Sequence, residues 1–524
     1  MPRLSIVIRF RNEARYLEAV LRAVRSQRQP YPVEVVAVDN QSTDGSRAIA
    51  EVYADKILDI PEYRPGAALN KAIEACSGEG IVILSAHALP ADDTWLGRLG
   101  SWIGNVDVLG TYGAQIYPIT SRFLDKRDLD IFSDLRPRAE TNDSDFWNAN
   151  SAFRRGYWEK EPFDELVIEL EDHYWTKRLL TGGRWVRFEP TAVVYHYGHE
   201  ARNDREFLPP SPHTDEERIA EAVQVLSDSD QPWPVVMSAG LTLGTLSHHP
   251  AALSAVPALG RSLREHEDFD ARWRMAGALG RIRCTDSAGY LVDGLRDRSF
   301  YARDECAWAL ARLGDLAVPT VLRHLPALDP AHTPFAGLAL GMSGVLEAER
   351  QAVELFRGCI AADDTDAARD GLYFLGEMAR ATPAQALAGQ VVTHLHGDDD
   401  ALLRAAAWCW GRLVEASDRD LGFDEQAVVD LARLHPLETV RAEAVVALGK
   451  LARARRSPRM AAHVARSIRD DGSGRVRYSA MQVLRLAAAD GLDCLTEVVT
   501  HDADPDFGVL FERQLMLEGV NGES

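Results

Sequence analysis

The sequence is short of cysteine, of basic charge and of long apolar runs, and each shortage excludes something. Its six cysteines (Cys76, Cys284, Cys306, Cys359, Cys409 and Cys494) lie far apart in 524 residues. None shows the paired spacing of zinc ligands, and most fall in apolar helical patterns, so buried thiols in a reducing compartment are expected. The 58 Lys and Arg residues are outnumbered by 79 Asp and Glu, for a formal net charge of -21. With no basic face to displace counterions, a nucleic-acid backbone is excluded as the main partner. Anionic lipid is disfavoured for the same reason. No apolar run approaches a membrane span, and the sequence opens on a strand, Leu4 to Ile8, without a charged leader. These features predict a cytoplasmic protein.

What is present is a globular composition, 46% hydrophobic and 26% charged, in a chain too long for one core. In the first half strands and helices alternate. Strand patterns at Leu4–Ile8, Val33–Val38, Lys56–Ile60 and Ile81–Leu84 are separated by helical periodicity, which predicts an α/β domain with a mainly parallel sheet. The Ile81–Leu84 run is apolar on both faces, as in a strand covered by helices on each side. Chemistry in such sheets collects past the strands' carboxyl ends, where Ser85 and His87 fall.

Several segments carry a family resemblance. Ser5-Ile-Val-Ile-Arg-Phe-Arg-Asn-Glu13, Val35-Val-Ala-Val-Asp-Asn-Gln-Ser-Thr-Asp-Gly45, Gly66-Ala-Ala-Leu-Asn-Lys71 and Gly78-Glu-Gly-Ile-Val-Ile-Leu84 resemble glycosyltransferase family 2, nucleotide-sugar enzymes of the GT-A fold. Pro162-Phe-Asp-Glu165, Glu171-Asp172 and Pro190-Thr-Ala-Val-Val-Tyr-His196 follow in the family's order, so the likeness spans roughly residues 3 to 200.

The resemblance implies transfer of a hexosyl or deoxyhexosyl group from a nucleotide-sugar donor to an acceptor hydroxyl, with inversion. It implies donor contacts from Arg11, Glu13, Asp39, Arg64, Asn70, Ser85 and His87, with Lys71 a further cation near the diphosphate. Asp172 is the expected general base, within reach of the acceptor hydroxyl, and Glu171 its orienting partner. Two carboxylates opening a helix also suit its dipole, and that plain reading stays open. Trp147 and Asn150 are expected to line an acceptor pocket, with core packing an equal alternative for Trp147. The long charged segment from Thr120 to Thr141 is expected beside that pocket.

One departure stands out. Where the family carries Asp-X-Asp for a divalent ion, this sequence has Ser85-Ala86-His87. Oxygen-rich sites suit Mg2+ and Mn2+, and a hydroxyl with an imidazole is a poorer set. Ligation of Mn2+ or Mg2+ by His87 with His196, and a metal-free site lined by cations, both remain open here.

After the proline-rich stretch at Pro209–Pro212 the character changes. Ala271-Arg-Trp-Arg-Met-Ala-Gly-Ala-Leu-Gly280, Ala302-Arg-Asp-Glu-Cys-Ala-Trp-Ala-Leu-Ala311 and Val440-Arg-Ala-Glu-Ala-Val-Val-Ala-Leu-Gly449 are copies of one pattern. Further copies begin at Leu403-Arg404 and Val476-Arg477, and neighbouring arginines (Arg272 and Arg303; Arg404, Arg441 and Arg477) recur every 31–37 residues, shorter than the roughly 40–47 of HEAT repeats, which they otherwise resemble. In such repeats the arginine is expected to pair with an aspartate of a neighbouring turn. The predicted organisation is a GT-A domain over 1–205, a linker over 206–232 and an all-α HEAT-like solenoid over 233–520. The solenoid is expected to dock a protein partner, the acceptor or another copy of the chain. The competing reading is a catalytically inactive, transferase-like scaffold acting through the repeats.

Overall fold

A computed structural model describes residues 3–30, 33–120, 136–141, 146–180, 183–197, 211–228, 230–417, 424–490 and 504–521. Most of the charged 120–141 segment, the start of the expected linker, His199 and Cys494 therefore lie outside the described residues. The chain forms two compact units, one of Met1–Glu200 with Ala465–Ser524 and one of Ala201–Val464. These bounds differ from the sequence-predicted ones at the C-terminus, because the last sixty or so residues group with the α/β domain.

The first unit is built on a sheet whose strands are β1 (Leu4–Phe10), β2 (Glu34–Asp39), β3 (Lys56–Asp59), β4 (Gly80–Ser85), β5 (Ala88–Pro90), β6 (Val108–Ile116), β7 (Arg138–Glu140), β8 (Asn150–Arg154) and β9 (Trp185–His196). Their order is β3-β2-β1-β4-β8-β6-β9-β5, with β7 on β9. The β3-β2-β1-β4 side is parallel, as predicted. The other side is mixed, because β8 runs antiparallel to both β4 and β6. The expectation of a mainly parallel sheet is corrected to that extent. This is a mixed α/β sheet.

Helices α1 (Ala14–Arg25), α2 (Ser46–Tyr53), α3 (Pro65–Ala75), α4 (Trp95–Leu99), α5 (Arg155–Trp158) and α6 (Glu171–Leu179) connect the strands. The buried faces of β1 and β4 explain their unbroken β-branched runs, since Ile6, Val7, Ile81 and Val82 have no exposure to trade. In β1–β4 register Arg9 lies opposite Ser85, and in β1–β2 register Phe10 lies opposite Asp39. Three loops thus emerge side by side at one edge of the sheet.

Among the described residues this unit also includes the helices α7 (Gly474–Ala489) and α8 (Phe507–Asn521). The Tyr195 hydroxyl donates to buried Asp506 at 2.7 Å, and the Phe507 N–H donates to the Ala91 carbonyl at 2.8 Å. The Tyr195 and Tyr478 rings meet at 3.9 Å between centroids, and Tyr16 stacks on Tyr197 at 5.1 Å. Gly508 approaches the Tyr195 ring so closely that any side chain there would collide with it. The end of β9 is thereby covered by residues some three hundred positions away.

The second unit is all-helical. Its helices pack in chain order, Phe269–Arg281 against Phe300–Leu313 and Thr365–Glu377 against Asp400–Ala416, which in turn meets Glu438–Arg455. This is the helical-repeat packing the sequence predicts. Arg272 is buried and pairs with Asp297 through two contacts at 2.7 and 2.9 Å, so its role is structural. Trp408 and Trp410 are core residues. The segment expected to be a linker contains a helix, Asp215–Ser227, closed by a capping box from Thr214 and Glu217. Among the described residues no helix is long and apolar enough to cross a membrane.

Candidate active site

The loops after β1 and β2 brace each other. Asn12 and Gln41 both sit at φ 56, a left-handed conformation that non-glycine residues hold only when neighbours enforce it. The Thr43 N–H donates to Asn12 Oδ1 at 2.8 Å, and the Glu13 N–H donates to Ser46 Oγ at 2.7 Å. Asp39 is buried; its Oδ1 accepts the Ser42 N–H at 2.9 Å and its Oδ2 lies 3.5 Å from Arg47. Its side chain closes the turn that was expected to meet the nucleoside. Arg11 is exposed, and Arg64 sits at the start of α3, paired with Glu62 at 3.2 Å. The Lys71 ammonium donates to the Asp59 carbonyl.

Glu13 turns inward to the end of β4. Its Oε1 lies 2.8 Å from His87 Nδ1, and His87 Nε2 lies 2.9 Å from Ser85 Oγ. The imidazole is buried and stacked face to face on His196, with centroids 5.0 Å apart and planes at 13°. Backbone pairing of Ala88 with His196 fixes that stack. Glu13, Ser85, His87 and His196, four residues singled out in the sequence, are thus brought into one cluster.

Glu171 and Asp172 open α6 after Leu170, which is itself left-handed at φ 56. Both carboxylates are buried. Arg9 reaches across from β1 to Glu171 at 3.0 Å, and Asn148 bridges the pair: its N–H donates to Asp172 Oδ2 at 2.7 Å and its side-chain amide to Glu171 Oε1 at 3.3 Å. Burial, reinforced by the neighbouring Glu171 charge, pushes the Asp172 carboxyl up to about 6, against the opposing pull of His173 and two backbone N–H groups. Burial alone would lower Arg9, but Tyr63, Glu171 and Asp172 together hold its guanidinium above its ordinary value. Glu171 stays the ion-paired partner, while Asp172 titrates within reach of neutral pH. Sequence reading gave Arg9 no role, and placed Asn148 with Trp147 and Asn150 along a sugar or acceptor pocket. The alternation along β1 could have flagged Arg9, an arginine at a buried end of a strand.

Two expected site residues are spent elsewhere. Asn70 donates to the Phe163 carbonyl (2.9 Å) and Glu165 (3.0 Å), while its oxygen accepts from Trp158 (2.8 Å) and the Phe163 N–H (3.1 Å). Protein partners thus occupy all four hydrogen-bonding positions of the amide. Asn150 is fully buried, donates to the Ala114 and Ala192 carbonyls and accepts from Trp95 Nε1, so its amide ties strands together. Trp147 is half-buried, edge-on to His173 at 4.9 Å beside the carboxylate pair, and packs against the core.

Residues 5–160 match the glycosyl transferase family 2 model, and residues 256–341 match HEAT repeats. The chain carries a family 2 glycosyltransferase domain joined to HEAT repeats. It is 27% identical over 207 residues to the glycosyltransferase AglE of Haloferax volcanii, a match covering 37% of this chain and 67% of that protein. It is 37% identical over 95 residues to the succinoglycan biosynthesis protein ExoA of Rhizobium meliloti, covering 17% and 29% respectively. Among solved structures it is similar to the mannosyltransferase PcManGT of Pyrobaculum calidifontis in complex with GDP-Man and Mn2+, at 23% identity and TM-score 0.31, covering 53% of this chain and 79% of that one. It is also similar to S. aureus TarS 1–349, at 16% identity and TM-score 0.33, covering 62% and 92%. Likeness at these TM-scores carries no argument about chemistry. The family match and the curated relative support glycosyl transfer.

The family implies a divalent ion at the end of β4, where this chain has Ser85 and His87 in place of carboxylates. Each ring nitrogen of His87 already has a protein partner, and Glu13, the nearest carboxylate, is one of them. Among the described residues no group of three or more His, Cys, Asp or Glu side chains is arranged to hold a metal. The expected ligand pair His87 and His196 is brought together as two stacked rings, with no third His, Cys, Asp or Glu completing a ligand group among the described residues.

Proposed function

We propose that this protein transfers a sugar from a nucleotide-sugar donor to an acceptor hydroxyl in the cytoplasm, with inversion, and that Asp172 is the general base. The single observation carrying this reading is the carboxylate pair at the start of α6, in which Arg9 holds Glu171 and leaves Asp172 with a carboxyl near 6. A base with that value is largely ionised at neutral pH yet still basic enough to take a hydroxyl proton as the bond to the anomeric carbon forms. The nucleotide leaves on the opposite face, toward the Glu13–His87–Ser85 cluster. Asp39 and Arg11 frame the nucleoside, and Arg64 and Lys71 supply positive charge beside the diphosphate. Trp147 flanks the acceptor side. The HEAT repeats dock a protein partner, the acceptor's carrier or another copy of the chain.

A screen of nucleotide sugars with detection of the released nucleoside diphosphate tests this directly. One donor is expected to be consumed by the wild type and not by Asp172→Asn. Binding of no donor at all would favour the scaffold reading.

A further inference from the structure

Helices α7 and α8 are remote in sequence from the strands of their unit, yet they reach the end of the sheet where His87 and His196 meet. Gln482 of α7 is buried, and its amide is engaged at both ends. Its Oε1 accepts the Ile119 N–H at 3.0 Å, while its Nε2 donates to the Tyr478 hydroxyl and to Glu512 Oε1 of α8, each at 2.8 Å. The second oxygen of Glu512, itself fully buried, accepts from Arg485 Nε at 2.7 Å. A backbone N–H can only donate and a carboxylate paired with arginine accepts, so the Gln482 amide fits in one orientation.

Ile119 lies just past the end of β6, and Tyr117, two residues before it, sets its ring against His196 with centroids 5.2 Å apart. His196 stacks in turn on His87. The residues on either side of His196 in β9 and beyond meet the same two helices, Tyr195 through Asp506 and Tyr478, and Tyr197 through Phe511 at 5.2 Å. The Tyr197 N–H also donates to the His87 carbonyl at 2.9 Å. We infer that α7 and α8 are a working part of the transferase domain and that Gln482 is a positioning residue. Acting through Ile119 and Tyr117, it keeps the His196 ring on His87 and so sets the donor end of the site. That last step rests on the proposed nucleotide-sugar chemistry and deepens it. Without the Gln482 oxygen the Ile119 N–H must find another partner, and the segment from Tyr117 to Ile119 shifts with it.

The test uses the full chain with its histidine rings labelled for NMR, the His87 and His196 resonances being assigned from His87→Gln and His196→Gln. Gln482→Met keeps the side chain's bulk without its acceptor and is expected to shift both resonances. Calorimetric titration with UDP, GDP, ADP and dTDP is the second readout. The diphosphate that the wild type binds should bind Gln482→Met and Tyr117→Leu about fivefold more weakly, the size of one neutral hydrogen bond. Because the two residues act in one line, the double variant should bind within about twofold of either single one. Unmoved histidine resonances in Gln482→Met, or losses that add in the double variant, would overturn the inference and leave the transferase reading standing. Should Gln482→Met fail to fold, Tyr117→Leu lies outside both helices, and undiminished binding by it would overturn the inference equally. Binding of none of the four by the wild type would overturn the transferase reading instead, with the histidine resonances still deciding whether Gln482 holds the rings.

Discussion

At the scale of single residues, the account rests on an unequal sharing of charge between two adjacent carboxyls. Arg9 takes Glu171, and burial with the Glu171 charge leaves Asp172 near 6. As the base must be ionised, the pH profile of transfer should show an acid limb near 6, well above the usual range of an aspartate. Arg9→Gln removes a cation that favours both carboxylates, so that limb should move to higher pH, whereas Arg9→Lys should largely hold it in place. Stability has the corresponding sign. The folded value lies above that of the free chain, so the folded state binds the proton more tightly. Asp172's contribution to stability is present in full below about 4 and is lost as pH rises through about 6. Unfolding midpoints of wild type and Asp172→Asn across pH 4–8 would show this, with the wild type losing more stability on the alkaline side.

At the scale of elements, the apolar run of β4 and the turn chemistry after β2 were legible in the sequence, because local patterning alone specifies them. The site's shape was not. Asn70 and Asn150 read as pocket amides, yet their partners lie across the fold, Phe163 for one and the Ala114 and Ala192 carbonyls for the other. Nothing near either residue in sequence announces that. The same holds for Leu170, whose left-handed backbone aims the start of α6 at Arg9 and Asn148. Because φ 56 is costly for a side chain branched at Cβ, Leu170→Val should lower stability by about 1–2 kcal/mol in denaturant titrations, while Leu170→Gly should be tolerated. Equal losses in both would show that the side chain, and not the backbone conformation, is what matters there.

At the scale of the whole molecule, the family match ends at residue 160 and the predicted domain at 205, but the compact unit also takes in residues 465–524. Repeat periodicity in the sequence continues through Arg477, which hid this. That arginine still makes the repeat-type pair, with Asp504 at 2.7 Å, so local pattern and long-range packing coexist in α7. The contacts of α7 and α8 with Tyr195 and Tyr197 adjoin His196, and hence His87. Burial pushes the Asp506 carboxyl up to about 6 despite the hydrogen bond from Tyr195. Tyr195→Phe should therefore cost about 1–2 kcal/mol, the usual loss when a buried acceptor loses its donor. A chain cut after residue 464 should lose nucleotide binding together with part of its cooperative unfolding. Undiminished binding by that truncated chain would show that α7 and α8 play no part in holding the site.

The central claim is that Asp172 takes the acceptor's proton in a glycosyl transfer. It is tested most directly by single-turnover transfer from whichever donor the wild type consumes, comparing wild type with Asp172→Asn at matched donor occupancy. The account predicts a rate lower by about 10²–10⁴-fold in the variant with donor binding little changed. Transfer by Asp172→Asn at close to the wild-type rate would contradict it.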